Sequence, residues 1–171
     1  YSVKYRPDTK IVLKNLTFTI NSGEKIGVVG RTGSGKSTLC LCLFRILEPT
    51  FGSILIDDID ITKIGLSLLR EIITVIPQDP TLIEGTLREN LDPAGQFTDD
   101  EMIFNINLIG MAYLLEDDGL NFQVKEDGKN LSSGEKQLIC MVRAILRKSK
   151  IIIMDEATSS VDYNTEKLIQ K

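Results

Sequence analysis

Glycines, a lysine and a serine are spaced in one stretch so that they could surround a phosphate group. The stretch is GRTGSGKSTL (residues 30–39), which follows the pattern Gly-x-x-x-x-Gly-Lys-Ser. Glycine lets the backbone adopt positive φ and approach an anion closely. Successive N–H groups at a helix N-terminus then form an anion-binding nest. Lys36 would contact the β- and γ-phosphates of a nucleotide, and Ser37 would ligate Mg²⁺.

Two adjacent acids could complete this chemistry. Asp155 and Glu156 follow the apolar run IIIM (residues 151–154), which predicts a buried strand. Open α/β sheets place their ligands at the carboxyl ends of strands. Asp155 would organise the Mg²⁺ shell, and Glu156 would polarise the attacking water as general base. A buried strand followed by an acidic helix start is the alternative, and the phosphate loop favours a single Mg-nucleotide site.

Composition excludes several other classes of site. The chain has no histidine, so the commonest general base and metal ligand is missing. The net charge is −4 and no basic stripe is present, which argues against a nucleic-acid binder. Cys40, Cys42 and Cys140 lie in apolar, helix-like stretches without a C-x-x-C pair, so we expect buried thiols. The longest aliphatic and aromatic run is too short to span a membrane, and we expect the chain itself to be soluble.

The predicted elements alternate between strand and helix. Helices are predicted at Ser37–Leu47, at LSLLREI, over Asp99–Leu115 and at Ser133–Leu146. Strands are predicted at IVLKNLTFTI, at EKIGVVG, on both sides of the acidic turn in GSILIDDIDI, at ITVIPQ and at Lys150–Met154. This alternation predicts an α/β fold, a P-loop NTPase core with a largely parallel sheet. The N-terminal part would be antiparallel β structure.

The chain reads as one domain. Between about Asp79 and Leu131 the sequence pattern changes to short helix-like segments separated by turn-forming residues, which predicts a helical insertion. We therefore assign residues 1–78 and 134–171 to the nucleotide-binding core and residues 79–133 to a helical subdomain.

The remaining motifs resemble ATP-binding cassette (ABC) ATPases. LSSGEKQ (residues 131–137) is similar to the LSGGQ signature of that family and precedes the DE pair as the family requires. The resemblance covers essentially the whole chain. It is strongest to the second nucleotide-binding domain of C-subfamily, multidrug-resistance-associated exporters, through KYRP, GRTGSGKST, IPQDPTLIEGTLRENLDP and DEATSSVD.

The resemblance implies further roles. Tyr5 would stack on adenine, although an exposed strand tyrosine is the alternative. Gln78 would be the Q-loop glutamine that reaches the metal and the lytic water and senses the membrane domain. Ser132 and Gly134 would bind the γ-phosphate of ATP held by an opposite cassette, and Asp162 would link the two cassettes. The resemblance also implies that the whole phosphate loop contacts the nucleotide; its members are Gly30, Arg31, Thr32, Gly33, Ser34, Gly35, Lys36, Ser37 and Thr38.

The sequence departs from the family at three points. Ser133 and Glu135 stand where the consensus has Gly and Gln, which would alter the strength of the opposite site. The family also has a switch histidine beyond the DE pair, and this sequence contains none. We therefore expect the chain alone to bind Mg-ATP and to hydrolyse it weakly.

The resemblance implies an ATP-driven transporter engine on the cytoplasmic face of a membrane. Its partners would be a second nucleotide-binding domain and attached transmembrane domains, with no nucleic acid. A nucleotide-gated regulatory module of a channel-type member is the main alternative, and Glu156 favours turnover. A soluble ABC ATPase fits less well because the PQDPTLIEGTLRENL run is exporter-like. A P-loop GTPase or small-molecule kinase fits least, since neither uses a signature helix.

Overall fold

The computed structural model describes residues 1–155, which divide into two compact units at Ile73 and Thr74. The first unit contains helix α1 (Lys36–Leu43), strands β1 (Leu55–Ile56) and β2 (Ile59–Asp60), a 3₁₀ turn (Ile61–Lys63) and helix α2 (Leu66–Ile72). Its small core is formed by Val3, Leu13 and Cys42, with Tyr1, Leu16, Leu39, Leu47 and Ile54 packed around them.

The predicted hairpin in GSILIDDIDI is confirmed. Strands β1 and β2 pair antiparallel, with Leu55 opposite Asp60. The two turn residues, Asp57 and Asp58, both have positive φ (49° and 64°), as a two-residue type I′ turn requires. The helix at LSLLREI is confirmed as α2.

Two predicted strands of the first unit are wrong. IVLKNLTFTI contributes only an isolated antiparallel bridge between Leu13 and Val3, and EKIGVVG forms no strand. EKIGVVG is not buried either, since Val29 is 97% exposed. A strand needs a neighbour for its backbone groups, and within residues 1–155 no named strand precedes β1. β-propensity marks suitable residues but cannot supply that neighbour.

Helix α1 is shorter than predicted. It ends at Leu43, not Leu47, and only Thr38 and Cys42 of its side chains are buried. The chain turns at Arg45, where φ is +49°, and the Arg45 guanidinium donates to the carbonyls of Ile61 and Ile64 at 2.8 and 2.9 Å. This turn ends the helix before the apolar stretch does.

The second unit starts with β3 (Ile73–Ile76), which begins one residue before the boundary, and β4 (Gly85–Thr86). It continues through helices α3 (Leu87–Leu91) and α4 (Asp99–Leu108), strand β5 (Gln123–Val124), helix α5 (Ser133–Arg147) and strand β6 (Ile151–Met154). Short 3₁₀ turns lie at Ala112–Leu115, Gly119–Asn121 and Glu126–Gly128. Most of the buried apolar side chains lie in one core around α3, α4 and α5.

Strands β3 and β6 are hydrogen-bonded neighbours. The Asp155 N–H donates to the Ile76 carbonyl at 3.1 Å, and the Thr74 and Ser149 hydroxyls are 2.6 Å apart. The start of β3 therefore lies beside the start of β6, and the end of β3 lies beside the end of β6. The two strands run parallel, as the predicted α/β class requires. The predicted burial of β6 is wrong, because Ile152 and Met154 are about half exposed.

The helices of the second unit begin at capping residues. Thr86, Thr98 and Ser132 each form a capping box with a glutamate three residues on. The predicted Asp99–Leu115 helix breaks after Leu108, because Gly110 has φ +78° and a 3₁₀ turn follows. None of the helices in residues 1–155 is long and apolar enough to cross a membrane.

Candidate functional site

The phosphate loop is built in the first unit and leads directly into α1. Gly35 is the N-terminal cap of α1, with φ +103° and no side-chain cap. The first amides of the helix have no carbonyl partner within it. This end of α1 therefore presents backbone donors and the positive end of its dipole, as an anion site requires.

A side chain at either of two glycines of the loop would force a neighbouring side chain to move. A Cβ on Gly30 would lie 2.5 Å from the Ser34 hydroxyl, and a Cβ on Gly35 would lie 2.6 Å from Leu13 Cδ2. The Ser34 N–H donates to the Arg31 carbonyl at 3.0 Å, which closes the turn. Residues 30–35 therefore form a compact turn.

Lysine and hydroxyl groups lie on this loop. The Lys36 ammonium donates to the Gly30 carbonyl at 2.8 Å, so it folds back across the loop. Arg31, Thr32 and Ser37 are exposed, whereas Thr38 is buried.

The structure brings Tyr5 to the start of α1. Its hydroxyl lies 2.9 Å from the Thr38 hydroxyl, and the side chain remains half exposed. Tyr5 is outside any strand. A ring tethered beside the loop and open to solvent is suited to stacking on a base.

The candidate residues of the second unit lie at the ends of its elements. Gln78 follows β3 by two residues and is exposed, and Asp155 follows β6 directly. The parallel pairing of β3 and β6 places both residues at the same edge of the sheet. Glu156 and Asp162 lie outside the described residues.

The signature segment begins α5 with an unusual acid. The Glu135 carboxylate accepts from the Ser132 N–H at 2.6 Å and from the Tyr113 hydroxyl at 2.7 Å. Burial raises the pKa of Glu135, but the hydrogen bonds from Ser132 and Tyr113 outweigh it and the net pKa is lowered. Burial and this acceptor raise the pKa of Tyr113 to about 12. The acid is therefore ionised at neutral pH and engaged through both oxygens.

This capping box changes what the signature can offer to a phosphate. The Ser132 N–H is taken by Glu135, and the Ser132 hydroxyl oxygen accepts from the Glu135 N–H at 3.3 Å. The first-turn amides of Ser133 and Gly134 have no acceptor within the helix. The donor set expected at Ser132 is therefore reduced by one backbone N–H.

Sequence reasoning missed three residues around these segments. Tyr113 is 22 positions from Glu135, and no local pattern connects them. Gln137 and Arg143 reach from α5 to the segment after β3, where Gln137 donates to the Gln78 carbonyl at 3.3 Å. A polar residue at position 137 on the buried stripe of α5 was the available signal.

Comparison with known proteins agrees with these features. A family model described as "ABC transporter" matches residues 13–159. Over 99% of its length the chain is 51% identical to ATP-binding cassette sub-family C member 3 and 53% identical to sub-family C member 2, both of Rattus norvegicus. The chain covers 11% of each of these relatives.

A solved structure is similar as well. The structure of a bacterial Atm1-family ABC exporter with ATP bound matches with a TM-score of 0.91 and 31% identity. The match covers 99% of this chain and 30% of that one.

Proposed function

The chain belongs to the ABC transporter family, and from that premise we propose that it is the ATP-binding and ATP-hydrolysing domain of a membrane exporter. The identity near 50% to two sub-family C members supports an exporter of that subfamily. The domain would work on the cytoplasmic face, paired with a second nucleotide-binding domain and attached to transmembrane domains.

The start of α1 carries the proposal. Gly35 leaves the helix without a side-chain cap, so its first N–H groups are free to meet an anion, and Lys36 lies across the same loop. A nucleotide phosphate offers the acceptors that these donors require. The Lys36 ammonium would exchange its neutral acceptor, the Gly30 carbonyl, for a charged phosphate oxygen, which makes a stronger hydrogen bond.

The residues present suit Mg²⁺. Ser37, Gln78 and Asp155 supply oxygen donors, which a hard cation prefers. Bound there, the ion would neutralise charge that develops on the phosphates. Glu156 would orient the attacking water and accept its proton, because the chain has no histidine for that role.

Other residues would contact the adenine, the phosphates, the partner domain and the membrane domains. Tyr5 would stack on adenine, and residues 30–38 would surround the phosphates. Ser132 and Gly134 would offer donors to ATP bound by the partner domain, with Asp162 joining the two domains. Residues 79–133 would act as the helical subdomain between core segments 1–78 and 134–171, and Gln78 would report to the membrane domains.

Nucleotide binding by the 171-residue chain is the first test. Isothermal titration calorimetry with Mg-ATP should show binding, and Lys36→Ala should weaken it roughly 10–150-fold, the value of one charge-assisted hydrogen bond. Lys10→Ala, a change on an exposed residue outside residues 30–38, should leave affinity unchanged. Equal affinity for Lys36→Ala and the unchanged chain would contradict the phosphate role.

Turnover and transport are tested in the full-length protein. ATP hydrolysis that rises with a transported solute, together with flux into vesicles, would support the exporter. ATP-dependent current without solute flux would instead support the nucleotide-gated module. Hydrolysis by the isolated chain at low concentration should be weak, and rapid turnover there would refute the need for a partner domain.

A further inference from the structure

A fully buried amide lies on the signature helix. Gln137 has no exposed surface and packs on α5 among apolar residues. Its Nε2 donates to the Gln78 carbonyl at 3.3 Å, while its Oε1 finds no hydrogen-bond partner among the residues that the structure describes. A buried amide oxygen without a partner is costly. An unbranched apolar side chain of similar size would fill this position at lower cost, so stability alone does not account for a glutamine here.

The same helix holds the chain again three residues after Gln78. The Arg143 guanidinium donates to the Thr81 carbonyl at 3.0 Å and to the backbone and side-chain oxygens of Asn90. Asn90, which is 1% exposed, in turn exchanges hydrogen bonds with the N–H and carbonyl of Ile83 at 3.0 and 2.9 Å. Residues 78–83 are therefore anchored along their length, and two of the anchors come from α5.

We propose that Gln137 is a positioning residue for Gln78. By holding the Gln78 carbonyl, it fixes the peptide from which the exposed Gln78 side chain projects. A displacement of the signature helix is then transmitted directly to that side chain. The inference rests on the proposed function through the role given to Gln78, and it adds the contact that sets where Gln78 points.

Hydrogen exchange tests the hydrogen bond from Gln137 to Gln78 without relying on ATPase activity. In the 171-residue chain, Gln137→Met keeps an unbranched side chain but removes the donor to Gln78. Amide exchange in a peptide covering residues 77–83, which includes the Ile83 N–H bonded to the Asn90 side chain at 3.0 Å, should rise roughly two- to tenfold, as loss of one hydrogen bond predicts. Leu138→Met is the matched control, because it alters a buried neighbour on α5 and leaves the Gln78 contact in place. Unchanged exchange in Gln137→Met, or an equal rise in both variants, would overturn the proposal.

ATPase kinetics of the full-length protein test the consequence. Gln137→Met should lower kcat and leave KM nearly unchanged, since the proposed role places Gln78 at the metal and the attacking water and not at the adenine of the nucleotide. In a Gln78→Ala background, Gln137→Met should lower kcat no further. An equal fractional loss in both backgrounds, or full activity of Gln137→Met, would refute the inference. A wild-type protein without ATPase activity would refute the proposed function, and the exchange experiment would still decide whether the anchor exists.

Discussion

Replacing Gly35 by alanine should destabilise the phosphate loop through two separable effects. The first is backbone strain, because an L-residue at left-handed φ costs about 1–2 kcal/mol, and Gly35 has φ +103°. The second is contact, because the new Cβ would lie 2.6 Å from Leu13 Cδ2. Carbon atoms pack best at roughly 3.5–4.0 Å, so Leu13 must move by about 1 Å.

The structure supplies a matched control for the strain alone. Gly33 also has positive φ, +80°, but a Cβ there would meet nothing within 4 Å. After allowing about 0.4–1 kcal/mol for the reduced entropy of the unfolded chain, Gly33→Ala should cost roughly 0–1.6 kcal/mol. Displacement of a packed core side chain adds about 1–3 kcal/mol, so Gly35→Ala should cost roughly 1–5 kcal/mol.

The assay must report on α1 itself. Peptide-resolved hydrogen exchange over residues 36–43, measured across a urea series, gives the free energy of opening for this helix. Leu13→Ala, combined with Gly35→Ala in a double-mutant cycle, should recover the contact part as a coupling energy of about 1–3 kcal/mol. Equal destabilisation by the two glycine substitutions, or zero coupling to Leu13, would refute the steric reasoning.

Three further predictions concern the chemistry of the proposed sites. Tyr5→Ala should weaken Mg-ATP binding roughly 5–150-fold by calorimetry, the value of one stacked base, whereas Tyr5→Phe, which keeps the ring, should bind like wild type; equal loss in both would remove the stacking role. Glu156→Gln in the full-length protein should retain ATP affinity and lose about 10²–10⁴-fold in kcat, and unchanged turnover would exclude it as the base. Glu135 has a lowered pKa in the folded state, so its stabilisation is complete above its unfolded pKa of about 4.5 and is lost as pH falls through the lower folded value. In acid titrations followed by circular dichroism, Glu135→Gln should therefore lose less stability than wild type as the pH falls below 4.5, and identical acid profiles would contradict this.

The sequence predicted the second unit better than the first because its signals are local. Capping boxes at Thr98 and Ser132 fix where α4 and α5 begin, and each depends on residues three positions apart. The acidic turn at Asp57 likewise needs only its neighbours. By contrast, a strand at residues 24–30 requires a partner far along the chain, and periodicity within the segment contains no information about that partner.

The phosphate loop was predictable for a related reason. Its proposed function depends on backbone N–H groups, and the backbone path depends on which residues lack a Cβ. The spacing of Gly30 and Gly35 therefore indicates where the backbone must pass close to other groups. A Cβ on these glycines would lie against Ser34 and Leu13, respectively. A phosphate contact was also predicted for Lys36, but its hydrogen bond to the Gly30 carbonyl was not. The acceptor of a lysine ammonium depends on which groups the folded loop brings within its reach.

The residues that tune the signature helix could not be predicted in this way. Glu135 was identified as a departure from the family, yet its charge is held by the Tyr113 hydroxyl, which arrives from a 3₁₀ turn elsewhere in the unit. Gln137 reads locally as one polar position on an amphipathic helix, and only the fold shows that it is buried against the Gln78 carbonyl. Motifs that bind a ligand through backbone are visible in sequence, whereas side chains that position those motifs act through long-range contacts. Substitutions at Tyr113 and Gln137 should therefore alter the working of the signature and of Gln78 while leaving every recognisable motif intact.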